Sequence, residues 1–287
     1  MTIGPWGPER AGELAALCEA ALPGEELSAD ELLAICWGSG AGDEVVLGAD
    51  DGTGAVAACA VDHGGTRFGY LQLLVVHPDA RRRGTGRALL AAAERWLLDE
   101  LGAVQVQVGG AAPHYLWPGV DVAWTEALCL FEAAGYDVAG SEVNMSCPTS
   151  FRAEPPAGVE VRRAIDDELV AQLLAFLHER WPWWEAEAAR AVEHGCCHVA
   201  LDDQGVVGFA CHSVNRAGWI GPMGTDPDRQ HGGVGAALLG QLCRDLQIAE
   251  YERAEIAWVG PVSFYAKAAG ATVSRSFRSL TKRAPRA

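Results

Sequence analysis

Apolar positions along the chain alternate between two periods, and the alternation runs through the same cycle twice. In the first half, "ERAGELAALCEAAL" and "SADELLAICW" carry the three-to-four spacing of amphipathic helices. Ser28 followed by Glu31 is the pattern of a capping box at the start of the second. "EVVLGA", "GAVAACAV" and "FGYLQLLVV" read as successive strands joined by Gly and Asp turns. "TGRALLAAAERWLLDEL" reads as a long helix and "AVQVQVG" as an alternating strand. "WTEALCLFEAAG" reads as a helix closed by Gly135, and "YDVAGSEVNMSC" as two short strands. The second half gives strand "VEVRRA", helices "DDELVAQLLAFLHERW" and "EAEAARAVEH", and strands "CCHVALD", "GVVGFACHSV" and "GWIGPMGT". Helix "VGAALLGQLCRDLQ", strand "RAEIAWV", helix "SFYAKAAG" and strand "ATVSRSFRSL" complete it. Strands joined by turns and then a strand–helix–strand crossover predict a mixed α/β (α+β) sheet in each half.

The halves share more than their order. Pro78 matches Pro227, Asp79 matches Asp228, Gly84 matches Gly233, Gly86 matches Gly235 and Leu89-Leu90 match Leu238-Leu239, a constant offset of 149 residues. A repeat of this length predicts duplicated domains. Pro and small polar residues between 146 and 160 predict a linker. The expected domains are 1–149 and 157–287, a size for which 287 residues with 49% apolar content suffice.

Charge narrows the partners. A net charge of −16 argues against a nucleic-acid partner, which calls for a basic face. Against that background "HPDARRRGTGRALL" concentrates arginines at a glycine turn before a helix. The N–H groups of a helix start, its dipole and guanidinium side chains together form a site for a phosphate or diphosphate. The nine cysteines contain no CxxC pair and sit mostly in apolar runs, which fits buried thiols in a reducing compartment. No apolar run of about 20 residues predicts a membrane span, and the N-terminus carries no signal-peptide pattern. A cytoplasmic enzyme without a metal centre is expected.

Neither loop fits a Walker motif or a dinucleotide fingerprint. The pattern that fits is Gln/Arg-x-x-Gly-x-Gly/Ala, as Arg81-x-x-Gly84-x-Gly86 and Gln230-x-x-Gly233-x-Gly235. Preceded by "V-x-H/D-P-D" and followed by "ALL", it resembles the acetyl-CoA loop of the GNAT acyltransferase superfamily, and the chain looks like a tandem GNAT protein. That resemblance implies that the fourth and fifth strands of each half splay and hold the pantetheine arm. The main chain of Leu74, Val75 and Val76, and of Met223, Gly224 and Thr225, would then bind it. The diphosphate would meet Arg81, Arg82, Arg83, Gly84, Thr85, Gly86 and Arg87 in one half. In the other it would meet Gln230, His231, Gly232, Gly233, Val234, Gly235 and Ala236.

The resemblance also implies a tyrosine acid in the helix after the fifth strand. Tyr265 in "SFYAKAAGA" fits it, and Phe131 stands at the equivalent place in the first half. Glu255 is the candidate base; by strand alternation it opposes Ile256 and faces either the cleft or solvent. A bent stretch peculiar to the first half, "GGAAPHYLWPGVDVAW", offers His114, Tyr115, Trp117 and Asp121 to an acceptor, and "ERWPWW" offers Trp183 and Trp184 in the second. The expected function is direct acetyl transfer, in a ternary complex, from acetyl-CoA to a primary amine of a small molecule, with the second half catalytic. The alternatives are a catalytic first half with a structural second half, or an acyl-CoA sensor without turnover. The chain is expected as a monomer of two pseudo-dimeric domains or as a homodimer.

Overall fold

The computed structural model describes residues 1–38 and 43–284. In chain order the elements are β1 (Ile3–Pro5), α1 (Ala11–Ala21), α2 (Ala29–Cys36), β2 (Asp43–Ala49), β3 (Gly54–His63), β4 (Thr66–Val76), α3 (Thr85–Glu94) and β5 (Gln105–Val108). There follow β6 (Val120–Asp121), α4 (Thr125–Ala133), β7 (Asp137–Pro148), β8 (Glu160–Arg163), α5 (Asp167–Arg180), α6 (Glu185–Glu193) and β9 (Cys197–Asp202). The last are β10 (Gly205–His212), β11 (Trp219–Thr225), α7 (Val234–Ile248), β12 (Arg253–Ile256), α8 (Val262–Ala269) and β13 (Thr272–Arg283). The expected mixed α/β class is observed. Ser28 caps α2 in the anticipated reciprocal box with Glu31. The long first-half helix continues past α3 as a π-helical stretch, Arg95–Glu100.

Two compact units result. One comprises Met1–Glu142 together with the chain from Ser276 onward; the other is Val143–Arg275. Boundaries at 149 and 157 follow the sequence repeat, whereas the units follow strand pairing. "YDVAGSEVNMSC" is one strand, β7, not two; its second part pairs antiparallel with β12, from Arg253↔Pro148 to Ile256↔Met145. The end of β13 pairs antiparallel with β5, from Leu280↔Val108 to Arg283↔Gln105. Each unit therefore completes its sheet with a strand from the other half of the sequence.

In the first unit, α3 and α4 pack on one face of the sheet over Val56, Ala58, Leu71, Val106, Val108 and Leu280. In the second, α7 and α8 enclose Met145, Cys147, Ala210, Ile220, Ala254 and Ile256 on one face. There α5 and α6 cover Cys197, Val199, Phe209 and Cys211 on the opposite face. Alternation along each strand assigns successive residues to opposite faces.

One polar hub is set into the second unit. Asp245 of α7 accepts from His198 Nε2 at 2.7 Å and Arg163 Nη2 at 2.6 Å, with His212 Nε2 at 3.4 Å. Burial alone would raise its pKa, but these donors hold the carboxyl well below the ordinary carboxylate range. A depressed native value stabilises the fold above the unfolded pKa of about 4 and loses that contribution as pH falls through the folded-state value. Asp245→Asn is expected to cost about 1.5–3 kcal/mol at neutral pH, because a single neutral amide oxygen replaces the carboxylate that Arg163, His198 and His212 share. Chemical denaturation followed by circular dichroism measures the loss, and it should shrink below pH 4.

Candidate active site

Both units open at the same register. In the first, β4 and β5 pair in parallel from Gly69↔Val106 to Leu71↔Val108, and the last bond is Gly109 N–H to Leu71 O at 2.8 Å. In the second, β11 and β12 pair at Trp219↔Glu255 and Ile220↔Ile256, and the last bond is Ala257 N–H to Ile220 O at 3.2 Å. Beyond those points the strands part. A bulge marks each parting: the β3–β4 register slips at Gln72, and the β10–β11 register slips at Gly221–Pro222. Leu74, Val75 and Val76, like Met223, Gly224 and Thr225, stay paired on one side only, with β3 and β10 respectively. Their other edge presents main-chain donors and acceptors, as an amide-bearing arm requires.

Each open strand leads into a nest. Arg82 and Gly84 have φ of 62° and 91°; their counterparts His231 and Gly233 have 64° and 92°. Alternating left- and right-handed residues turn successive N–H groups to one concave side. In both loops the left-handed glycine is also the helix N-cap, and no side chain caps it. The anion site expected from sequence is therefore built twice from main chain, with Thr85 and Val234 buried beneath it as the first helical residues.

The side chains around the nests divide. Arg82, Arg83 and Arg87 are exposed, as is His231. Arg81 is exposed as well, but its guanidinium turns back to the main chain, donating to Val76 O at 3.2 Å and Ala21 O at 2.7 Å. Gln230 likewise points to the end of its strand, at Thr225 O. The first residue of each motif thus braces the loop against the strand. Arg229 pairs with Asp202 at 2.9 Å. Arg180, at the end of α5, pairs with Asp226 at 3.1 Å, while Asp226 Oδ1 accepts the Asp228 N–H at 2.9 Å. The donor set of both loops fits a CoA diphosphate, and the open strand edges fit its pantetheine arm.

Glu255 and Tyr265 lie on opposite faces of the second sheet. Ala254 and Ile256 point into the α7/α8 core, so Glu255 points away from it, one residue before the strands part. It is half-buried; Asn144 Nδ2 donates to its Oε1, and Arg275 Nη1 lies 3.7 Å away. Strand β12 stops sooner than "RAEIAWV" suggested, because Trp258 is left-handed at φ 47°. Tyr265 is buried in the α7/α8 core, 6% exposed, with Met145 and Cys147 around it. Burial, and secondarily the Cys147 thiol, pushes its pKa well above the ordinary phenol value.

The first unit provides an internal comparison. A Cβ on Gly86 would meet Leu130 at 3.5 Å, and one on Gly235 would meet Phe264 at 3.2 Å. Leu130 and Phe264 are therefore counterparts, and so are the residues that follow, Phe131 and Tyr265. The register that makes Leu71 the counterpart of Ile220 makes Gln107 that of Glu255.

The acceptor candidates differ in setting. His114, Trp117 and Asp121 are buried at 8%, 5% and 7% exposure, and Tyr115 is half-buried. Trp117 donates to Glu25 at 3.4 Å and meets Trp124 edge-on at 4.9 Å; Asp121 Oδ1 accepts the Ala123 N–H. This loop packs onto its own unit. Gln72, which sequence reasoning did not single out, donates to Ile35 O at 2.9 Å and His114 O at 3.4 Å and ties the loop to α2. Trp183 is exposed and Trp184 half-buried. Trp181 covers Gly224 on the face that α5 and α6 share, where a Cβ would come within 2.8 Å of its ring. Another group missed from sequence is Glu187, whose buried carboxyl accepts from Asn215 at 2.9 Å and is pushed by burial up to about 7. Among the described residues no helix is long and apolar enough to cross a membrane.

Comparison with known proteins agrees with this geometry. The acetyltransferase (GNAT) domain pattern matches residues 42–138, and the acetyltransferase (GNAT) family pattern matches residues 160–270. A mycothiol acetyltransferase of Kineococcus radiotolerans is 30% identical over 244 residues, covering 79% of this chain and 76% of that protein. Among solved structures, a tandem GNAT protein from the clavulanic acid biosynthesis pathway superposes with a TM-score of 0.75 at 16% identity, over 100% of this chain and 99% of that one. The GCN5-related glucosamine N-acetyltransferase region of a fungal multi-domain β-N-acetylglucosaminidase gives a TM-score of 0.78 at 19% identity. It covers 98% of this chain, which spans only 38% of that protein. Repeated nests, repeated strand partings and these matches together establish that the chain belongs to the GNAT acetyltransferase family, as an acyltransferase with two GNAT domains in tandem.

Proposed function

We propose that this protein moves an acetyl group from acetyl-CoA to a primary amine of a small molecule, directly within a ternary complex, and that the second unit carries the chemistry. The observation that carries the reading is the pair of substitutions at equivalent positions. Where the strands part, the second unit has Glu255 and Tyr265 and the first has Gln107 and Phe131. An amide and a phenyl ring cannot exchange protons, whereas a carboxylate and a phenol can. When bound, acetyl-CoA supplies the activated acetyl thioester. Glu255 accepts a proton from the acceptor amine on one face of the sheet. Tyr265, kept protonated by burial, holds a proton for the departing sulfur on the other. The nest of His231 and Gly233 grips the diphosphate, and Met223 to Thr225 hold the arm. No side chain forms a covalent intermediate.

The names of the relatives support a small-molecule acceptor, since one is a mycothiol acetyltransferase and another a glucosamine N-acetyltransferase region. Trp181 covers Gly224 of the strand that holds the arm, Trp184 lies 5.6 Å from Trp181, and Trp183 lies 6.2 Å from Trp184; Trp183 and Trp184 suit stacking on a ring of such an acceptor. The first unit retains a nest and an open strand and is read as an acyl-CoA holder without turnover.

Thiol release with a panel of amines tests the activity, and one comparison tests its location. Glu255→Gln is expected to lower kcat about a hundredfold, and Gln107→Ala to leave it within about twofold. The reverse outcome would move catalysis to the first unit.

A further inference from the structure

We propose that Asn144 is a positioning residue for acyl transfer in the second unit, orienting the Glu255 carboxylate and the main chain beside it. The inference rests on the reading of Glu255 as proton acceptor. Asn144 lies in β7, in the half of the sequence that carries the first repeat, yet it belongs to the second unit. Met145 points into the α7/α8 core, so its neighbour Asn144 points to the face of Glu255. It is completely buried, and both ends of its amide are used. Oδ1 accepts the Trp258 N–H at 2.9 Å, and Nδ2 donates to Glu255 Oε1. A main-chain N–H can only donate, so the amide has one orientation, and its NH₂ must face the carboxylate.

The same side chain therefore fixes two things at the point where the strands part. It sets the carboxylate rotamer, and it holds Trp258 in the left-handed conformation that ends β12. The charged groups on this face include Arg275 of β13, at 3.7 Å from Glu255, and Arg253 two residues earlier on β12, which donates to Ser146; on α6, which covers the same face, Glu187 accepts from Asn215 at 2.9 Å and Arg190 donates to Asn215 at 2.8 Å. Arg216 stacks on Trp219 of β11 at 4.9 Å. The parts of β7, β11 and β13 within this unit carry no second carboxylate. In the first unit the counterpart of Asn144 is Ser279, one residue before Leu280, and its hydroxyl reaches Glu142 at 3.3 Å. Serine cannot bridge two partners across that span, and the position it would orient is Gln107.

The test is the pH profile of kcat/KM for the full chain. Asn144→Asp keeps the shape and an acceptor for Trp258 but sets a carboxylate against a carboxylate. The acidic limb is expected to move up by about one pH unit or more, with KM for acetyl-CoA within about twofold. Asn144→Ala, which removes the donor, is expected to move the limb in the same direction; if that variant does not fold, Asn144→Asp alone decides. In a Glu255→Gln background, Asn144→Asp should cost nothing further. A limb that does not move, or an equal loss in both backgrounds, would show that Asn144 does not act through Glu255. A silent Glu255→Gln would sink the reading of Glu255 and this inference with it, and is distinguishable because it needs no change at Asn144.

Discussion

Tyr265→Phe is expected to lower kcat by about 10²–10⁴-fold while leaving the affinity for acetyl-CoA unchanged. The substitution removes one hydroxyl from a side chain that is 6% exposed and otherwise apolar in its contacts, so the ring keeps its packing against Met145, Cys147 and Phe264. What it removes is the phenolic proton that Tyr265 holds within the α7/α8 core. Because burial raises the phenol's pKa, Tyr265 stays protonated through the neutral range, and its loss should appear at every pH rather than as a displaced limb. Steady-state kinetics and calorimetry on the same preparation separate the two effects. A kcat within about threefold of wild type would show that another group or water supplies the proton.

Gly233→Glu and Gly84→Glu should have opposite consequences for turnover. Both glycines are left-handed, at φ 92° and 91°, and a Cβ at either would meet no atom within 4 Å. The fold therefore accommodates the side chain, but the left-handed backbone costs about 1–2 kcal/mol. A carboxylate beside the nest also repels a diphosphate by about 1 kcal/mol or more. The sum predicts acetyl-CoA binding weakened about a hundredfold at the altered loop. Gly233→Glu should abolish turnover at ordinary cofactor concentrations. Gly84→Glu should leave turnover within about twofold and remove one of two binding events in a titration. Equal losses of turnover from the two substitutions would contradict the division of labour.

Much of this was legible in the sequence because it is local. A strand, a proline stop, a left-handed glycine and a helix start follow one another within 15 residues, and that succession occurs twice. The resemblance drawn from it anticipated the family and the mixed sheet. What escaped was long-range. "YDVAGSEVNMSC" reads as two short strands, yet β7 runs unbroken from Asp137 to Pro148 through Gly140. His114, Trp117 and Asp121 have a composition equally suited to lining a cleft or to packing, and only burial distinguishes the two. Glu255 could be singled out, but its partner lies 111 residues away. The Asp245 hub draws one residue from each of four elements, none conspicuous alone.

The exchange of final strands has a bearing on how such a protein could be taken apart. A protease nick or a gene split at the proline-rich segment after β7 would not release two autonomous lobes. The leading fragment would lack Phe277 and Leu280, which are 0% and 4% exposed in its core, and the trailing one would lack Met145 and Cys147, at 1% and 0%. Each piece would present a raw sheet edge and an unfilled hydrophobic slot, the usual invitation to aggregate. Once duplication had been followed by this interlacing, neither lobe could be discarded without ruining the other.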